Sequence, residues 1–200
     1  MLFRSIRQTF TVTMGKLGLA SIDTANADDS GVSYPDDYKQ RVAAAVAGLA
    51  KAPVGWVVTH RPFWGAIKDN TTINQTLQTS LKAAPGGEFP GSVALVVSGH
   101  MHQFQTVGFL GWRPAQFIVG DSGVKLAKGY PKPKDSPASM TIDGMQAQVS
   151  GLAKFGYMRF DLGKNGTWTG KLRDPKGKTV ADCASDWARG KRPLSVCSAK

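Results

Sequence analysis

Val93-Ala94-Leu95-Val96-Val97-Ser98-Gly99-His100-Met101-His102 is the stretch that decides the fold. Five apolar residues run without a polar break, the pattern of a short strand covered on both faces. Gly99 then lets the backbone leave the strand sharply, and two imidazoles follow two positions apart. A second stretch of the same kind lies upstream, Val54-Gly55-Trp56-Val57-Val58-Thr59-His60-Arg61-Pro62-Phe63-Trp64. The chain has three histidines, His60, His100 and His102, and each sits just past one of these apolar runs. Neutral imidazole is a common ligand for zinc, iron, nickel and copper. In α/β sheets ligands collect at the carboxyl ends of strands. If the two strands are parallel, His60 and His100 emerge at one edge of the sheet.

The segments around them support a strand-helix-strand unit. An amphipathic helix is expected over about 73–81, ended by Pro85-Gly86-Gly87. Upstream of residue 54, Tyr38, Val42, Ala45, Val46 and Leu49 recur at three- and four-residue spacing. Pro35, with Asp36 and Asp37, suits the first turn of that helix. Before it, Phe10-Thr11-Val12-Thr13-Met14 and Leu17-Gly18-Leu19-Ala20-Ser21-Ile22 alternate around Gly15-Lys16, a hairpin pattern. Past residue 102 the chain reads as antiparallel strands over 104–109, 116–119, 157–162 and 168–173. Residues 129–156 read as a polar excursion loop, and the chain from Pro175 as irregular. The order predicts an α/β sheet joined to an antiparallel part, with a domain over 1–174 and a basic tail over 175–200.

The 200 residues are 42% hydrophobic and 20% charged, the composition of a globular domain with a real core. No apolar run reaches the roughly 20 residues of a membrane helix, so no membrane span is expected. The first sixteen residues carry no apolar stretch of the signal-peptide kind. Net charge is +11, from 25 Lys and Arg against 14 Asp and Glu, spread along the chain rather than gathered in one block. Such a surface attracts anions. No zinc-finger spacing, helix-turn-helix or aromatic-basic motif accompanies it, so nucleic acid is not the expected partner. Cys183 and Cys197 are close enough in sequence to close a short loop. A disulfide there is worth about 3 kcal/mol in the chain-entropy model. It would suit a periplasmic or secreted location; two free thiols, and a cytoplasmic location, are the alternative.

The two histidine motifs resemble those of calcineurin-like metallophosphoesterases. Residues 57–64 look like the family's strand followed by its fourth-motif histidine and a Pro-aromatic pair, and residues 96–102 like its Gly-His-x-His motif. Leu19-Ala20-Ser21-Ile22-Asp23-Thr24 and Ile118-Val119-Gly120-Asp121-Ser122-Gly123 resemble two further strand-to-loop segments, and Phe155-Gly156-Tyr157 with Trp168 the closing strands. The likeness covers most of residues 8–174. It implies the C-terminal half of a metallophosphoesterase β-sandwich flanked by helices, with extra antiparallel strands. It also implies hydrolysis of phosphate mono- or diesters with two divalent metal ions (manganese, iron or zinc), His60 and His100 on one and His102 on the other. Arg61 is a candidate contact for the substrate phosphate.

The family's early motifs, Asp-x-His, Gly-Asp-x-x-Asp and Gly-Asn-His, are absent from this sequence. The expectation is therefore a C-terminal fragment that depends on an N-terminal half for the bridging carboxylate. By itself it would hold at most one metal ion, and uncovered sheet surface would favour association. Two alternatives stand beside it: a degenerate, non-catalytic module that binds an anionic partner, and a mononuclear three-histidine enzyme.

Overall fold

The computed structural model describes residues 9–68, 70–123, 125–132, 135–163, 167–185 and 196–199. Phe10–Met14 (β1) and Leu17–Ile22 (β2) form the expected hairpin around Gly15, whose φ of 59° a side chain rarely adopts. Pro35–Leu49 (α1) buries the stripe read from the sequence, Tyr38, Val42, Ala45, Val46 and Leu49. Val54–Thr59 (β3) and Val93–Ser98 (β6) are the two apolar runs. Between them lie a small hairpin, Gly65–Ile67 (β4) and Asn70–Ile73 (β5), and the helix Gln75–Lys82 (α2). The helix starts two residues later than expected because Asn74 caps it, its side chain accepting a hydrogen bond from the Leu77 amide at 3.0 Å. Phe104–Phe109 (β7) and Ala115–Val119 (β8) follow.

Residues 129–156 do not form one excursion loop. Ala138–Ile142 (β9) and Met145–Leu152 (β10) pair as a hairpin, and β10 continues the sheet beside β7. The turn is Asp143-Gly144, both at positive φ, and Ile142, Ala147 and Val149 point into the core. The polar residues that suggested a loop alternate with these and face outward. Nor is the chain irregular from Pro175 on: Thr179–Ser185 (β13) pairs with Trp168–Arg173 (β12) and buries Ala181 and Cys183. Tyr157–Leu162 (β11) lies on the other side of β12, and Val196–Ala199 (β14) beside β13. A disulfide joins Cys183 and Cys197 across β13 and β14.

The fold is α/β. One eight-stranded sheet runs in the order β1-β2-β3-β6-β8-β7-β10-β9, and β11-β12-β13-β14 form a second, antiparallel sheet. The centre of the large sheet is parallel, from β2 through β3 and β6 to β8. Alternate residues of each strand face opposite ways. Val57 and Val96 pack in the core with α1 and α2, and Trp56, Leu95 and Phe117 in the core with Trp168 and Leu172 of the second sheet. At a transfer value of about 25 cal/mol per Å², full burial of side chains of this size stabilises by roughly 1.5–3 kcal/mol each. Edge strand β1 leaves Phe10, Val12 and Met14 exposed. Among the described residues no helix is long and apolar enough to cross a membrane.

Candidate functional site

Parallel pairing fixes the site. Ile22, Thr59 and Ser98, the last residues of β2, β3 and β6, stand in register across three neighbouring strands. The loops that follow, beginning at Asp23, His60 and Gly99, therefore leave from one edge. The Gly99 amide donates to the His60 carbonyl at 3.0 Å, tying two of them together. The His60 and His100 rings lie 5.2 Å apart, centroid to centroid, edge to face.

Arg61 is clamped by hydroxyls. Its amide donates to Thr24 Oγ1 at 2.7 Å, and its carbonyl accepts from Thr59 Oγ1 at 2.7 Å and from Thr24 Oγ1 at 3.3 Å. The side chain turns toward the loop after β2. Nε donates to the Ala25 carbonyl at 3.0 Å, and Nη1 stands 2.7 Å from Asp29 Oδ2. That same oxygen is 2.7 Å from His100 Nε2, and Asn74 Nδ2 donates to Asp29 Oδ1 at 3.0 Å. Burial raises the Asp29 carboxyl, but the hydrogen bonds from His100, Asn74 and Arg61, with the His100 charge, outweigh it and bring it down to about 2. Arg61 Nη1 also lies 3.1 Å from His100 Nε2. Asp29 is anionic and Arg61 cationic, so the arrangement that satisfies both has His100 Nε2–H and Arg61 N–H donating to one carboxylate oxygen. His60 is lowered from the usual imidazole value by burial first, then by the His100 and Arg61 charges.

The loop that carries the other histidines is held in an uncommon backbone conformation. His100 and His102 have φ of 68° and 47°, left-handed values that few non-glycine residues take. Gly120, past the end of β8, lies against this loop: a Cβ there would come 2.8 Å from the His102 nitrogen and 3.3 Å from Gly99 C and Met101 N. The structure thus brings His60 and His100 together. Exposed His102, whose carbonyl accepts from the Ala127 amide at 2.9 Å, takes part in neither the ring pair nor the Asp29 hydrogen bonds.

Sequence reasoning missed Asp29 and Asn74. The available signal was the position of Asp29 in the loop directly after β2, on the edge where His60 and His100 emerge.

The residues present only partly suit the metal ions that the resemblance implies. Two imidazoles on one tetrahedral zinc, with Zn–N of about 2.0–2.1 Å, have ring centroids about 5 Å apart, so the ring spacing is compatible with a shared cation. Yet among the described residues no group of three or more His, Cys, Asp or Glu is arranged to hold a metal ion. The donor set does not make a metal centre, and a guanidinium already stands beside His100.

No family model matches the sequence. No curated protein matches it. Similarity appears among solved structures. A purple acid phosphatase from seeds of yellow lupin (Lupinus luteus) superposes with a TM-score of 0.55 at 13% identity, covering 86% of this chain and 31% of that one. PhoD superposes with a TM-score of 0.59 at 12% identity, covering 96% of this chain and 44% of that one. The chain therefore spans less than half the length of either neighbour, and at these identities what it shares with them is the fold.

Proposed function

We propose that this chain is a portion of a metal-dependent phosphoester hydrolase, a phosphatase or phosphodiesterase, with His60 and His100 at the reacting edge of the sheet. The observation that carries the reading is the convergence of these two rings at the carboxyl ends of adjacent parallel strands, in a fold shared with a purple acid phosphatase and with PhoD. A phosphate ester is the substrate class, and the basic surface favours its approach. Divalent ions bound at this edge would draw further ligands from beyond the group described here. What these residues offer by themselves is a pair of imidazoles, one held in place by Asp29, beside a fixed guanidinium.

The test is hydrolysis of 4-nitrophenyl phosphate and bis(4-nitrophenyl) phosphate with manganese, by the 200-residue chain and by the longest polypeptide its gene encodes. In whichever form hydrolyses, His100→Ala and His60→Ala should each lower turnover by orders of magnitude. Hydrolysis indifferent to both substitutions would refute the reading. A second reading, a non-catalytic module that binds an anionic partner, is favoured by the engagement of Arg61, Asp29 and His100 with one another. It predicts phosphate binding without turnover in either form.

A further inference from the structure

We infer that, in the 200-residue chain taken alone, Arg61 is a resident cation that keeps divalent metal ions out of the His60–His100 site. Three observations converge on it. The guanidinium stands 2.7 Å from Asp29 Oδ2 and 3.1 Å from His100 Nε2, so it lies against two of the atoms a metal ion at this edge would need. It is held from several sides: by the Asp29 carboxylate, by the Ala25 carbonyl, and through its backbone by the hydroxyls of Thr24 and Thr59. And the ring spacing is compatible with a shared cation, while the carboxylate nearest to His100, that of Asp29, is already paired with the guanidinium.

Arg61 and a metal ion compete for Asp29. A carboxylate that neutralises a guanidinium is a poor ligand for a second cation, because both ask for the same lone pairs. A unit positive charge within a few ångströms of the ring nitrogen also repels an incoming divalent ion. Removal of the guanidinium acts on both terms. It frees the Asp29 carboxylate beside His100 as a donor, and it lifts the repulsion. The inference does not rest on the hydrolase reading, since metal affinity is an equilibrium property; a chain that hydrolyses nothing leaves it standing.

The experiment is titration of the 200-residue chain with zinc alone by calorimetry, and with cobalt(II) alone by visible absorption, near pH 7.5. It compares wild type, Arg61→Ala, Arg61→Gln, and the Arg61→Ala chain carrying His100→Ala or Asp29→Asn. Far-UV circular dichroism checks each fold. Arg61→Ala should bind one metal ion at least about tenfold more tightly than wild type, and that gain should be lost with His100→Ala and reduced with Asp29→Asn. Arg61→Gln, which keeps a hydrogen-bonding side chain without the charge, should gain in the same sense, and decides the matter if the alanine variant misfolds. Equal or tighter binding by wild type overturns the inference. So does a gain that survives His100→Ala, because the metal would then sit elsewhere.

Discussion

Asp29→Ala is the substitution that most directly tests the construction of the site. One carboxylate receives three hydrogen bonds, from Arg61, His100 and Asn74, which belong to three different segments of the chain. Its fall from an ordinary 3.8 to about 2 corresponds to roughly 2.4 kcal/mol before solvent screening. The side chain is 36% exposed, and halving for that exposure leaves about 1 kcal/mol. The sign follows from the direction of the shift. A depressed carboxyl contributes stability above its unfolded value, and that stability is lost as pH falls through the folded value. Wild type should therefore exceed Asp29→Ala by about 1 kcal/mol from pH 7 down to about pH 5. The gap should shrink to roughly half by pH 3. Urea unfolding followed by tryptophan fluorescence reads this, with Trp56, Trp64 and Trp168 buried in the native state. A gap of the same size at pH 7 and pH 3 would show that the ionised carboxylate is not its source. No gap at pH 7 would remove Asp29 as the residue that joins the three segments.

Gly120→Ala places a methyl group against the backbone of residues 99–102, where nothing flexible can yield. A loss of about 1–3 kcal/mol in urea unfolding is expected, with shifted imidazole NMR signals for His100 and His102, and unchanged spectra would refute the contact. Asp121 is fully buried, and neither carboxylate oxygen has a hydrogen-bond partner among the described residues; burial raises its carboxyl. Its ionisation therefore costs stability as pH rises past the ordinary carboxylate range, so Asp121→Asn should be more stable than wild type by about 1 kcal/mol or more at pH 7 and should lose that advantage toward pH 4; equal gaps at both would sink the idea. Arg113 is buried against Glu88 at 2.8 Å and Asp143 at 3.3 Å, with the Trp64 ring 5.0 Å away. Arg113→Ala removes the buried cation beside Glu88 and leaves Asp143 to Lys82 and the Trp64 indole N–H; it should cost about 3–5 kcal/mol in the same urea assay, whereas a loss below about 1 kcal/mol would mean that the Arg113–Glu88 pair is solvated.

What was legible in the sequence follows from where the signal lies. Strands β3 and β6 are continuous apolar runs, and α1 repeats its apolar residues with helical spacing, so local pattern and burial agree. The hairpin of β9 and β10 was hidden by its outward residues. Met140 to Val149 alternates, but Gln146, Gln148 and Ser150 dilute it, and the Asp143-Gly144 turn was the signal that outweighs them. Strand β13 was hidden by the Lys, Gly and Pro residues before it, although Ala181 and Cys183 take the inward positions. The three histidines were legible because each follows a strand. Asp29 was not, because an aspartate in a turn-rich loop looks like any other. Its role comes from the parallel register of β2 with β3 and β6, a long-range relation that no local pattern encodes.

The hydrogen bonds that meet on Asp29 make acid a poor means of opening the site. With the Asp29 carboxyl at about 2, the Arg61–Asp29 pair stays ionised at every pH near neutrality. Protonation is therefore no route to free the guanidinium or the carboxylate. The clamp on Arg61 adds to this, since the Thr24 and Thr59 hydroxyls fix its backbone from two neighbouring strand ends. What remains is competition: an oxyanion that draws the guanidinium away, or a cation strong enough to take the carboxylate. The first suits a phosphate ester approaching a chain of net charge +11. On this argument excess inorganic phosphate should narrow the zinc-affinity difference between wild type and Arg61→Ala, because it weakens the Arg61–Asp29 pair only where the arginine is present. A difference that phosphate leaves unchanged, up to concentrations at which zinc phosphate precipitates, would mean that the guanidinium is locked against anions as firmly as against metal ions.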